Sequence, residues 1–110
     1  MSHEIYAACI EACNACAVEC NNCAASCLKD EHASHMARCI ALDIDCAQVC
    51  AFAAAAMARG SEHVAAICML CAEICQFCAD ECAKHSAEHC KTCAAACQRC
   101  ADACRAMAKK

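Results

Sequence analysis

Residues 9–27 read CIEACNACAVECNNCAASC, which sets Cys9, Cys13, Cys16, Cys20, Cys23 and Cys27 at alternating steps of four and three. Such steps return to one face of an α-helix, so the stretch is a helix carrying a stripe of sulfur where a bundle helix normally carries leucine. The pattern recurs at Cys68, Cys71, Cys75, Cys78 and Cys82, and again at Cys90, Cys93, Cys97, Cys100 and Cys104. A sparser version occupies Cys39, Cys46 and Cys50, with Leu42 and Asp43 where the missing sulfur would fall. Asp43 is expected at the flank of that stripe, paired or solvated. The alternative is a place inside, accepting thiol protons or touching metal.

The chain has 110 residues, 19 of them cysteine, with no proline and a single glycine, Gly60. Local propensity favours helix almost everywhere and excludes strands. A chain of this length makes one domain, residues 1–110. Its two Phe, one Tyr and absence of Trp would leave a conventional core thin, so a ligand bound in the core is a physical expectation. Net charge is −4 and no Lys/Arg stripe runs along a predicted helix, which gives no sign of a nucleic-acid partner. The start, Met1-Ser2-His3-Glu4-Ile5-Tyr6, does not read as a secretory signal, and no stretch reads as membrane-spanning. A cytoplasmic location, where thiols stay reduced, follows as the expectation.

Four helical segments are predicted, at about 3–28, 31–58, 62–84 and 87–108, with Ser2, Asp30, Ser61 and Ser86 as caps and Gly60 as a left-handed stop. Short connections between helices of similar length give an all-α, antiparallel up-down-up-down four-helix bundle with a cysteine-lined core. Helix direction collects His32, His35, Met36, His85 and His89 at one end, and Ile5, Tyr6, Met57, Val64 and Met107 at the other. Extending the stripes by three or four residues brings His35 or Met36 and His85 to the seam at the first end. His35, His85 and Met36 are therefore candidate metal-contacting residues at a mouth, whereas His3 and His63 read as solvated and His32 and His89 fall between. Met57 and Met107 read as plug residues.

Cys-x-x-x-Cys pairs on one helix suit a two-coordinate soft ion, Cu(I), whereas tetrahedral Zn(II) needs four ligands converging from at least two helices. Charge separates these guests. Deprotonating every thiol would place a charge of about −19 in a low-dielectric core, and each uncompensated buried charge costs several kcal/mol. One monovalent ion per thiolate brings the sum near zero. Four or five divalent ions would leave about half of it.

A disulfide framework conflicts with the odd cysteine count and with the strain of bridging along a helix. A Zn(II) or iron–sulfur bundle remains as an alternative, although ferredoxin-type clusters use loop spacings. From a different class, a thiol- or metal-dependent redox enzyme would need one thiol set apart by acidity and access. Nineteen near-equivalent cysteines argue for no catalytic residue.

The stripes on all four helices, the segment Cys39-Ile40-Ala41-Leu42-Asp43-Ile44-Asp45-Cys46 and the hinge Cys82-Ala83-Lys84-His85-Ser86-Ala87-Glu88-His89-Cys90 resemble the bacterial copper storage proteins, in particular their cytosolic branch. The resemblance covers the whole chain. It implies a four-helix bundle that stores many Cu(I) ions, on the order of one per cysteine, loads from one end and assembles as a homotetramer. A copper chaperone is a candidate partner whose identity the sequence does not carry.

Overall fold

The computed structural model describes residues 2–109, with side chains from Glu4 to Lys109. The cap expected from Ser2 and the solvated side chain expected of His3 lie outside the described side chains. A short helix α1 (Ser2–Ile5) is followed, after Tyr6, by α2 (Ala7–Leu28), α3 (Ala37–Arg59), α4 (Val64–Cys82) and α5 (Glu88–Ala108). No strand occurs among the described residues.

The four long helices form a square: α2 packs on α3 and α5, and α4 packs on the same two. Their directions show in the sulfur contacts. Cys9, Cys16 and Cys23 of α2 meet Cys104, Cys97 and Cys90 of α5, so residue number rises along one helix as it falls along the other. Cys39, Cys46 and Cys50 of α3 meet Cys82, Cys75 and Cys71 of α4 in the same sense. The result is an antiparallel bundle of 47 × 19 × 18 Å.

Outside the core, α4 and α5 are joined by a side-chain network. Gln76 Nε2 donates to Gln98 Oε1 at 2.8 Å, Gln98 Nε2 donates back to Gln76 Oε1 at 3.0 Å, and Arg105 Nη2 donates to the same Gln76 oxygen at 2.8 Å. A one-residue slip would unpair every member. The network therefore helps fix the register that aligns the sulfurs.

The helix starts differ from the sequence expectation. Asp30 does not cap α3; its Oδ1 accepts the His32 N–H at 2.7 Å, which commits residues 30–32 to a turn. A single 3₁₀ turn, Ala33–Met36, follows before α3 begins. Ser61 Oγ accepts the His63 N–H at 3.1 Å and shapes the turn before Val64. Ser86 is exposed, and the position before α5 belongs to Ala87, whose carbonyl accepts from Cys90 and Lys91. On length and composition alone, Ala33–Arg59 could cross a membrane, contrary to the sequence expectation, with mean hydropathy 1.6. Its place in the bundle accounts for this, because Cys39, Asp43, Cys46, Cys50 and Met57 are buried against the other helices.

Gly60 ends α3 at φ 65°, with the Ser61 N–H reaching back to the Ala56 carbonyl at 3.0 Å and the Gly60 N–H to that of Met57 at 3.1 Å. This is the left-handed stop that a side chain penalises. Gly60→Ala should destabilise the reduced, metal-free protein by about 1–2 kcal/mol. Thermal unfolding checks this, with a fall of roughly 4–8 °C in Tm per kcal/mol. An unchanged Tm would contradict the strain argument.

Candidate metal centre

Every cysteine is buried, and none is more than 2 % exposed. All are free thiols, and the shortest of their sulfur contacts, Cys39 to Cys82, is 3.3 Å, far beyond a disulfide bond of about 2.05 Å. A neutral thiol packs as a small hydrophobe. Cysteine with alanine, capped by Met57 and Val64, therefore makes a dry core without large aliphatics.

Six of the eight i, i+4 cysteine pairs face one another in direct contact: Cys16–Cys20 at 3.9 Å, Cys23–Cys27 at 3.9 Å, Cys46–Cys50 at 4.0 Å, Cys71–Cys75 at 3.7 Å, Cys78–Cys82 at 3.9 Å and Cys93–Cys97 at 3.8 Å. Contacts between helices are equally short, as in Cys46–Cys75 at 3.4 Å and Cys20–Cys97 at 3.5 Å. Pairs thereby merge into tetrads. Cys13, Cys71, Cys100 and Cys104 converge near one end, Cys16, Cys20, Cys46 and Cys97 in the middle, and Cys23, Cys27, Cys39 and Cys90 near the other end. Members are shared between adjacent tetrads, as Cys16 and Cys46 are with Cys50 and Cys75, so the sulfurs form one continuous column. Such a column can bridge many soft ions.

Burial is the leading cause that pushes the Cys27 thiol up, and it pushes Cys90 up to about 12. These two thiols are therefore held protonated at neutral pH. Metal must displace protons to bind, which makes uptake pH-dependent.

Asp43 corrects the expectation of a flanking position. It is fully buried inside the sulfur column. Its Oδ1 accepts S–H from Cys78 at 3.2 Å, Cys93 at 3.3 Å and Cys82 at 3.4 Å, and Cys39 lies 3.9 Å from Oδ2. Burial pushes its carboxyl up to about 8, against the pull of thiols such as Cys23 and Cys78 that donate to it. The spacing carried the signal, because Cys39, Asp43, Cys46 and Cys50 step by four, three and four.

At the histidine-bearing end the structure sorts the candidates. Met36 is buried. His35 is exposed and stacks on His32 with ring centres 5.9 Å apart. His85 Nε2 is 3.0 Å from Glu81 Oε2, and the same carboxylate takes Arg38 at 3.1 Å and Lys84 at 3.5 Å, tying the start of α3 to the end of α4. His85, then Lys84 and Arg38, hold the Glu81 carboxyl below its usual range. The histidine that reaches the thiols is His89, whose Nδ1 lies 3.6 Å from Cys90 Sγ and 3.9 Å from Cys27 Sγ. Counting back from Cys93 by four gives His89, on α5 itself. Extending from Cys82 to His85 fails as a helical count because α4 stops at Cys82. At the opposite end Met57 and Val64 are buried, and Tyr6 and Met107 pack against the core.

A four-helix bundle whose interior is a continuous column of buried cysteine sulfur is a multinuclear metal-thiolate binding protein. The chain belongs to the copper storage protein family, whose sequence profile matches residues 2–109. Among solved structures it is similar to the Cu(I)-bound copper storage protein BsCsp3 of Bacillus subtilis, at 48% identity, a TM-score of 0.91 and coverage of 94% of this chain and 97% of that one. It is also similar to a cytosolic copper storage protein of Streptomyces lividans holding five coppers, at 38% identity and a TM-score of 0.94 over 99% of this chain and 96% of that one. A Streptomyces lividans form loaded with 10 copper equivalents matches at 39% identity and a TM-score of 0.92, over 96% of this chain and 85% of that one.

The Asp43 carboxyl titrates above its ordinary value of 3.8 in the folded chain. Its contribution to stability is thus fully present below about pH 4 and is lost as pH rises through about 8. Reduced, copper-free protein should lose stability to denaturant across that window, by up to about 1.4 kcal/mol per pH unit from this group. Asp43→Asn should flatten the slope; equal slopes in the two proteins would count against a buried carboxyl.

Proposed function

We propose that this chain is a non-enzymatic cytosolic store and buffer of Cu(I), with all 19 cysteines as thiolate ligands. The observation that carries the reading is the continuous column of buried sulfur, in which no thiol is more than 2 % exposed. Storage of copper is what the family's name describes. Charge supports a monovalent guest, since each Cu(I) that replaces a thiol proton leaves the dry core neutral. The cytosolic placement draws on the similar Streptomyces lividans protein, which is described as cytosolic.

Ions would enter at the histidine-bearing end. His89 stands nearest the first sulfurs, while at the same end Met36 is buried, His85 pairs with Glu81 and His35 is exposed. Homotetramer assembly is implied by the family resemblance, and it is supported by apolar residues left on the outer faces of α3 and α4. Val49, Phe52, Leu70 and Ile74 line a shallow groove of about 310 Å³ there, with Phe52 and Leu70 exposed.

Titrating reduced protein with Cu(I) against a chromophoric chelator should give uptake close to the cysteine count. Saturation at one or two ions would end the storage reading. The rival redox enzyme requires one dominant thiol, whereas storage requires graded loss. Single Cys→Ser variants therefore separate the two, each expected to lower capacity by about one ion without abolishing it. Replacing His85 and His89 with Phe should slow loading and removal while leaving capacity nearly intact; lost capacity at unchanged rates would reject that end as the mouth.

A further inference from the structure

Among the described residues, Asp43 is the only carboxylate fully enclosed by the sulfur column, and copper storage by thiolates leaves it without a task. One oxygen, Oδ1, is the focus of three thiols: Cys78 at 3.2 Å and Cys82 at 3.4 Å from α4, and Cys93 at 3.3 Å from α5. Cys78 and Cys82 are themselves 3.9 Å apart. The four groups therefore enclose a small space between three helices, α3 supplying the oxygen.

A tetrahedral ion with bonds of about 2.3 Å to sulfur and about 2.0–2.2 Å to oxygen holds oxygen and sulfur about 3.5–3.7 Å apart, and two sulfurs about 3.8 Å apart. The three oxygen–sulfur spacings and the Cys78–Cys82 spacing are within about 0.3 Å of the nearest of those values. The geometry points to a second kind of metal site: Asp43, Cys78, Cys82 and Cys93 form a three-sulfur, one-oxygen tetrahedral site for a borderline divalent cation of the zinc class, one per chain.

The oxygen is what makes this tetrad different from its neighbours. Carboxylate adds little for a soft monovalent ion, which gains most from the all-sulfur tetrads on either side. A borderline dication accepts mixed sulfur and oxygen ligands readily. Cys78 and Cys93 also belong to the all-sulfur tetrad with Cys20 and Cys97, so copper and the divalent ion compete for these two thiols. On binding, the three S–H protons that converge on Oδ1 and the proton held by the Asp43 carboxyl leave to solvent, and three thiolates and the carboxylate bond to the ion. The net charge of −2 equals that of a four-cysteine zinc site. The inference stands on the donor geometry and does not require the storage reading.

The test uses reduced, copper-free full-length protein titrated anaerobically with Co(II), a coloured substitute for Zn(II). The first equivalent should give intense tetrahedral ligand-field bands with sulfur-to-metal charge transfer, and Zn(II) should displace it. Asp43→Asn should weaken that first equivalent by about tenfold or more, since even outer-shell changes at metal sites cost 10–100-fold, while Cu(I) capacity stays within about one ion of the wild type. X-ray absorption of wild-type protein holding one Zn(II) should show three sulfurs and one oxygen, a reading that needs no variant to fold. Equal Co(II) affinity in Asp43→Asn, four sulfurs around the zinc, or no thiolate-bound Co(II) at all would overturn the site. A separate Cu(I) titration keeps that outcome distinct from failure of copper storage.

Discussion

The constraint on which the rest depends is that one set of side chains must serve as an apolar core and as a ligand array. Cysteine can do both because its two protonation states have opposite character. The neutral thiol packs with alanine as a hydrophobe, and the thiolate is a soft anion stable in a dry interior only with a cation beside it. Folding therefore comes first and coordination follows within a scaffold already in place. The sulfur contacts of 3.3–4.0 Å show how little space separates the two roles.

That double duty explains the composition elsewhere. With thiols inside, the helices need little bulk between them, and small alanines such as Ala53, Ala56 and Ala101 fill the remaining interior. Register must come from other sources. The Gln76, Gln98 and Arg105 network supplies it between α4 and α5, and the Arg38–Glu81 pair supplies it between α3 and α4. A slip of one residue would separate sulfurs that must share an ion, so these surface contacts act on metal binding at a distance.

Much of this was legible in the sequence because a single residue type marks the inward face, and its three-four spacing reports helix, stripe and bundle together. Asp43 was misread for the opposite reason. A carboxylate on a core stripe conflicts with the usual cost of burial, and only the cluster of S–H donors around its oxygens reconciles the two. His89 was under-read because the stripe was extended across the break after Cys82, where helical counting no longer holds. The turn at residues 30–36 was hidden because Asp30 can cap a helix or close a turn, and the choice rests on one backbone N–H.

The long narrow shape has a further consequence. Sulfurs are arranged along an axis of 47 Å, while the cross-section of 19 × 18 Å is set by four helices and does not depend on how many ions they enclose. Adding two turns to every helix would add another storey of sulfur without altering any existing one, because each storey touches only the next. In such an architecture capacity is an extensive property of chain length, open to gradual evolutionary adjustment, while the chemistry of each ion's surroundings is left as it was.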